Sequence, residues 1–290
     1  MLYFAYGSNL CESDLERYCV ERGLQPIRLE RAGAAFLPDR RLAFTHRSTS
    51  RKGGVLDVLP ARGEAVPGVL FRVLSDASIA TLDRKEGEGH VYVRFETAAL
   101  RDDGTEERAF AYEVSAMYRE PFVRPATSYL EVVRRGYEAH GLDASDLEAA
   151  ASGRPTAGPV LGLFVYGTLR RGEERHPALQ RHAAVGGEAA TTDGTLLDLG
   201  PYPGFVVDGP TSAVTGEHYT ASDPDALFAE LDAIEMFRGF GVSGSVYRRA
   251  IVRVRTAERA PRLAWTYVYT GPRNGSRVIA SGDWRDVHRP

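Results

Sequence analysis

Leu2-Tyr3-Phe4-Ala5-Tyr6-Gly7-Ser8 opens the chain, and Leu163-Phe164-Val165-Tyr166-Gly167-Thr168 stands in its middle. Both are apolar runs of strand length that end in Tyr-Gly and a hydroxyl residue, so the chain is tested first for an internal repeat. Leu82-Asp83-Arg84-Lys85-Glu86 is answered by Leu231-Asp232-Ala233-Ile234-Glu235, each after an acidic and aliphatic stretch of helical character and each before a tyrosine and a β-rich run, YVRFETAAL and YRRAIVRVR. Upstream, Pro67-Gly68-Val69-Leu70-Phe71 has its counterpart in Thr215-Gly216-Glu217-His218-Tyr219. Four features in one order make a duplication. The offset is 160 residues at the Tyr-Gly turn and 149 at the LDxxE glutamate, so the loops differ in length while the elements keep their order.

Ala149 to Pro159 reads AAASGRPTAGP, small and breaker residues without apolar periodicity, as expected of a linker. The chain therefore divides into a domain at 1–150, a linker at 151–160 and a domain at 161–290. Each half reads as strand, Tyr-Gly turn, short helix or loop, several strands, a helix ending in LDxxE, and two more strands. Short alternating runs such as RLAFTH and AWTYVYTG, without regular βαβ units, predict a mixed α+β class: two copies of a small β-barrel-like domain flanked by helices. The first copy adds Ser128 to Ala151, apolar at helical spacing with Gly141 as a stop.

The 290 residues are 43% hydrophobic and 26% charged, the range of soluble globular chains. A net charge of -3 without a basic stripe excludes a nucleic-acid footprint. Cys11 and Cys19 form neither a disulfide framework nor a metal-binding pattern. The N-terminus reads as a first strand rather than a signal peptide or membrane anchor, so a cytoplasmic location is expected. The seven histidines show no HExxH spacing, and GxSxG, Walker and GxGxxG patterns are absent, so no cofactor and no metal is expected. His46, His90, His176 and His218 are assigned no role.

A strand ending in Tyr-Gly-Ser/Thr presents successive backbone amides, and Gly7 and Gly167 are expected to permit φ values or close approaches that a Cβ would block. Such a turn can hold a carboxylate or stabilise an oxyanion. The plainer alternative makes Tyr6 and Tyr166 core aromatics beside tight turns. LDxxE sets Asp and Glu on one helical face, the leucine anchoring that face to the core. A glutamate held against apolar packing has its pKa raised toward neutrality, as a general acid/base requires. Most helical glutamates are merely solvated; the duplicated pairing of turn and glutamate points to a site between them. Ser8 has no histidine partner and is matched by Thr168, which disfavours a nucleophile.

YFAYGSNL with LDRKEG resembles the gamma-glutamylcyclotransferase family, and FVYGTLRRGEERHPAL with PYPG and LDAIE resembles its gamma-glutamylamine cyclotransferase and AIG2-like branch. The match takes in Gly53-Gly54, Val66-Pro67-Gly68, Tyr92 and RRGYEAHGL in the first copy, and Pro203-Gly204, Gly216, Tyr247 and the strand Ala264 to Tyr269 in the second. The resemblance implies small barrels flanked by helices, and release of an amine or amino acid from a gamma-glutamyl group as 5-oxoproline. It implies Glu86 and Glu235 as proton carriers, and the amides of Tyr6, Gly7, Ser8, Asn9, Leu10, Tyr166, Gly167, Thr168 and Leu169 as holders of the glutamyl moiety. Glu88 is a second acidic candidate two residues beyond Glu86. Met236 follows Glu235 where the first copy has Gly87, which suits the gamma-glutamylamine branch. The partner is a small gamma-glutamyl substrate, with neither nucleic acid nor membrane. Two alternatives stay open: a module that binds gamma-glutamyl ligands without turnover, and biosynthetic removal of a gamma-glutamyl protecting group from a natural product.

Overall fold

The computed structural model describes residues 1–160, 162–209, 211–257 and 259–288; Leu161, where the second domain is expected to begin, and the two C-terminal residues lie outside them. The chain forms two compact units, Met1–Ala99 with Glu107–Pro159, and Leu100–Glu106 with Val160–Pro290.

In the first unit, β1 (Leu2–Ala5) is followed by a 3-10 turn over Ser8–Leu10 and α1 (Glu12–Glu21). A long hairpin, β2 (Leu29–Ser48) and β3 (Gly53–Val73), leads to α2 (Asp76–Glu86), β4 (Tyr92–Leu100) and β5 (Glu106–Val114). The helices α3 (Thr127–His140) and α4 (Ser145–Ala151) complete the unit. Gly141, at φ 68°, ends α3 in the left-handed conformation that glycine adopts without steric cost. β1 is central to closure: it runs antiparallel to β3, with Phe4 opposite Leu70, and parallel to β5, with Tyr3 opposite Phe110. The ring β1-β3-β2-β4-β5 is a closed barrel. Register shifts at Arg31/Gly33, Pro38/Arg40 and Phe44/His46 let so long a hairpin curl. Phe4, Phe44, Val58, Val69 and Leu70 are fully buried among the core residues.

The second unit repeats this plan with β6 (Leu163–Val165), α5 (His176–Gln180), β7 (Ala183–Asp198), β8 (Pro203–Val206), β9 (Ser212–Ala221), α6 (Pro224–Ile234), β10 (Tyr247–Thr256) and β11 (Arg259–Tyr269). β12 (Arg277–Val278) and α7 (Arg285–His288) follow. β6 again lies antiparallel to one neighbour, Leu163 opposite Tyr219, and parallel to another, Trp265 opposite Leu163. Pairing of β10 with β7 through Arg255 and Thr191 closes the second five-stranded ring, and β8 and β12 pair with β7 outside it. The fold is mixed α+β with two barrel-like sheets, as the sequence predicts.

Both copies keep a glycine in the strand paired with β1 or β6 for a steric reason. A Cβ on Gly68 would lie 2.4 Å from the Ala5 carbonyl oxygen, and one on Gly216 2.3 Å from that of Val165. The segment Ser152–Pro159 is held on the first unit: Thr156 Oγ1 donates to Glu64 Oε2 at 2.9 Å, and Asp146 Oδ1 accepts from the amides of Ala157 and Gly158 at 3.1 and 3.2 Å. No helix among the described residues is long and apolar enough to cross a membrane.

Candidate active sites

In each unit the first strand and the helix that ends in LDxxE, α2 or α6, bring the Tyr-Gly turn and the glutamate together. The turns are built alike, with the Leu10 amide donating to the Gly7 carbonyl at 3.0 Å and that of Arg170 to the Gly167 carbonyl at 2.9 Å. Tyr6 and Tyr166 point inward: their hydroxyls donate at 2.7 Å to the carbonyls of Tyr112 and Tyr267 on β5 and β11. The core-aromatic reading therefore holds for these side chains. The helices are capped by Ser75 and Asp223, whose side chains accept from the amides of Ser78 and Ala226. Leu82 and Leu231 are fully buried and fix the helix face to the core. The LDxxE aspartates are clamped in the same way in both copies. Tyr112 Oη donates to Asp83 Oδ1 at 2.6 Å while Arg94 approaches the same carboxylate at 2.9 Å; Tyr267 Oη donates to Asp232 Oδ1 at 2.7 Å and Arg249 lies 3.6 Å away.

The glutamates meet different surroundings. Glu86 Oε1 accepts from Asn9 Nδ2 at 2.9 Å and lies 3.4 Å from Lys85 Nζ. Asn9 donates as well to Tyr3 Oη at 2.7 Å, and its Oδ1 accepts from Lys85 Nζ at 2.6 Å. Burial and the nearby carboxylate push the Tyr3 phenol far above its ordinary range. Burial pushes Tyr129 up to about 12. Behind them Arg51 forms a double hydrogen bond with the buried Asp14, at 2.9 and 2.5 Å, and stacks 5.3 Å over the Tyr129 ring. Ser8 and Glu86 line a cleft of about 730 Å³ rich in arginine. Tyr6, Gly7, Asn9 and Leu10 do not line its wall: Asn9 reaches Glu86 from behind, and Leu10 is in the core. Glu88 is exposed and also outside that wall, which leaves Glu86 as the acidic candidate.

Glu235 is 8% exposed and, with Tyr166, Gly167, Thr168 and Leu169, lines a cavity of about 100 Å³ closed by Tyr202, Pro203 and Tyr247. Desolvation pushes its carboxyl up to about 7, with the Arg175 guanidinium pulling the other way. Tyr247 donates to the Pro203 carbonyl at 2.7 Å and so ties β10 to β8 across the cavity. Met236 takes φ 54°, the left-handed position that Gly87 fills at φ 63° in the first copy.

One steric expectation divides between the copies. A Cβ on Gly167 would fall 2.4 Å from Pro203 Cγ, so glycine is required there. Gly7 has φ −125° and would place a Cβ no nearer than 3.7 Å to Leu56, because no proline faces it; the expected close approach is absent. The residues missed at the sequence level are Lys85, Arg51 and Asp14 in the first unit and Arg175 and Tyr202 in the second. Lys85 adjoins Glu86 on α2 but has Ile234 as its counterpart, so the repeat does not mark it; the others reach their sites through tertiary packing, which no spacing marks. Among the described residues, no group of three or more His, Cys, Asp or Glu side chains is placed to hold a metal ion.

A family model described as "Gamma-glutamyl cyclotransferase, AIG2-like" matches residues 3–130 and again 163–286, once per barrel. The chain belongs to this family. The cyclotransferase family is one of enzymes, and this member carries two of its domains in tandem. The gamma-glutamylcyclotransferase family protein YtfP of Escherichia coli K12 is 34% identical over 124 residues, covering 43% of this chain and 96% of the relative. The gamma-L-glutamyl-butirosin B gamma-glutamyl cyclotransferase of Niallia circulans is 31% identical over 135 residues, covering 46% of this chain and 81% of the relative. A solved gamma-glutamyl cyclotransferase structure is 25% identical and covers 54% of this chain and 88% of its own, with a TM-score of 0.43.

Proposed function

We propose that this cyclotransferase releases an amine or amino acid from gamma-glutamyl substrates with formation of 5-oxoproline, Glu86 and Glu235 serving as proton carriers of two sites. The observation that carries the reading is the duplicated geometry in which the LDxxE glutamate shares a cavity wall with the hydroxyl residue of the turn, Glu86 with Ser8 and Glu235 with Thr168. The glutamate takes a proton from the substrate α-ammonium. The freed amine attacks the γ-carbonyl carbon, whose oxygen gathers negative charge beside the amide of Ser8 in the first cleft or those of Tyr166–Leu169 in the second cavity. The glutamate then returns the proton to the amide nitrogen, the C–N bond breaks, and the ring nitrogen, left with two hydrogens by the attack, passes its second proton through the freed carboxylate to the departing amine. Since nucleophile and leaving group belong to one substrate, the protein has only to orient it and move protons from one nitrogen to the other. A carboxyl near 7, as at Glu235, is matched to both halves of that transfer. The test is 5-oxoproline release from γ-glutamyl amino acids, γ-glutamyl-ε-lysine and a γ-glutamyl aminoglycoside by wild type, Glu86→Gln and Glu235→Gln. Loss of about 10²- to 10⁴-fold in one or both variants is expected for a general acid/base, and unchanged release in the double variant would sink the mechanism. The location of the reaction is proposed to be the cytoplasm.

A second reading, biosynthetic removal of a gamma-glutamyl group from a natural-product amine, draws on the butirosin-directed relative. Turnover of the γ-glutamyl aminoglycoside well above that of γ-glutamyl amino acids would favour it.

A further inference from the structure

The walls of the two sites differ in charge and size, and the difference bears on the amine each releases. The first unit's cleft, about 730 Å³, is lined by six Arg and Lys side chains against three carboxylates, those of Asp14, Glu21 and Glu86. Asp14 is shared by Arg17 and Arg51, and Glu21 by Arg17 and Arg22. Glu86 faces Lys85. Arg47, near the end of β2, and Arg84, on α2, have no ion pair among the described residues and are exposed at the cleft wall. The second unit's cavity, about 100 Å³, is walled mostly by aromatic and aliphatic side chains with Arg175 as its cation. A gamma-glutamyl group brings one α-carboxylate to either site, and a single cation or a set of amides neutralises it. The surplus positive charge of the first cleft has no counterpart in that shared part of the substrate. In a walled cleft with a surplus of positive charge the potential is focused, and anionic ligands gain in both encounter and affinity.

We infer that the first site takes γ-glutamyl amides whose amine portion carries two or more negative charges, and that the second takes those with a compact, uncharged amine portion. This rests on the proposed reading of Glu86 and Glu235. The probes are γ-glutamyl-glutamate, with two carboxylates on the released amine, and γ-glutamyl-methylamide, with none.

In Glu235→Gln, which reports the first site, kcat/KM is expected to be at least about tenfold higher for γ-glutamyl-glutamate, and to fall as salt rises from about 50 to 500 mM. In Glu86→Gln the order reverses. Arg47→Ala with Arg84→Ala should raise KM for γ-glutamyl-glutamate several-fold at the first site while leaving kcat and the methylamide unchanged. Both arginines are exposed, and an unaltered unfolding midpoint checks that the fold is intact. Equal turnover of the two probes at the first site, or a KM indifferent to the arginines, overturns the inference while leaving the reaction standing. If neither probe is turned over, calorimetry of γ-glutamyl-glutamate on wild type and on the double arginine variant decides. Binding that weakens several-fold upholds the charge preference while the catalytic reading falls, and equal or no binding overturns both.

Discussion

Asn9 Nδ2 donates to Glu86 Oε1 at 2.9 Å, whereas the matching position of the second unit, two residues after its Tyr-Gly glycine, is Leu169, which is buried. One glutamate is thus held by a side-chain donor and the other by desolvation. Asn9→Leu, which copies the second unit, removes the donor to Glu86 and the acceptor of Lys85. In a Glu235→Gln background, 5-oxoproline release should drop by about 10- to 100-fold, the range for losing one hydrogen bond to a charged group. Unchanged kcat would show that the bond does not orient Glu86.

The raised Glu235 carboxyl has a signed consequence for stability. Its folded value of about 7 lies above the ordinary 4.5, so the folded protein holds this proton more tightly than the unfolded chain does. The stabilisation is complete below the unfolded value and is lost as pH rises through about 7. Urea unfolding of wild type should therefore weaken between pH 5 and pH 8 relative to Glu235→Gln by an amount on the order of 3 kcal/mol. In the Glu86→Gln background, kcat/KM at the second site should rise through the same window as the base form appears. Parallel stability curves for the two proteins would argue against a buried, protonated Glu235.

Tyr112 and Tyr267 each donate to the LDxxE aspartate of their own unit, at 2.6 and 2.7 Å. Tyr112→Phe and Tyr267→Phe keep the ring and delete one charge-assisted bond, with an expected loss of about 1.5–3 kcal/mol each. The cost should be greater for Tyr267, because Asp232 is the less exposed carboxylate: 18% against 28% for Asp83. Calorimetric unfolding reads both. Equal small shifts would assign the aspartates to solvent rather than to the clamp.

Gly167→Ala puts a methyl group 2.4 Å from the Pro203 ring, whereas Gly7→Ala meets nothing closer than 3.7 Å. The first substitution should cost about 1–3 kcal/mol, the usual range for overpacking, and impair the second site. The second should leave the cleft and its turnover close to wild type. A Gly167→Ala protein as stable and active as wild type would mean that β8 moves freely away from the turn.

The repeat was legible because it rests on local requirements: a Tyr whose hydroxyl crosses the barrel, a glycine crowded by a carbonyl, and a helix whose leucine faces the core. These leave marks in sequence at fixed spacing. Barrel closure left none, because the parallel contact of Tyr3 with Phe110 joins residues more than a hundred positions apart. The site was half legible. The glutamates and turns stood out by duplication, but Asn9 stands where the second copy has Leu169, and Lys85 where it has Ile234, so the repeat that revealed the site concealed what distinguishes its two versions. Of the cleft arginines only Arg84 stands inside a motif; Arg17 and Arg22 come from α1 and its end, and Arg47 and Arg51 from the β2–β3 hairpin, so tertiary packing alone brings them to one wall.

The strand that carries the first turn is also the strand that closes its ring. β1 has partners on both sides, and one of them, β5, is the last strand of its barrel to leave the ribosome. The turn that follows β1 is completed late, because the Tyr6 hydroxyl at its start donates to the Tyr112 carbonyl on β5. Amides of β1 should exchange with solvent by whole-unit opening rather than local fraying, and so count among the slowest of the unit. A nascent chain halted before residue 106 would hold a first strand paired to β3 on one side and open on the other, the kind of edge that recruits other chains.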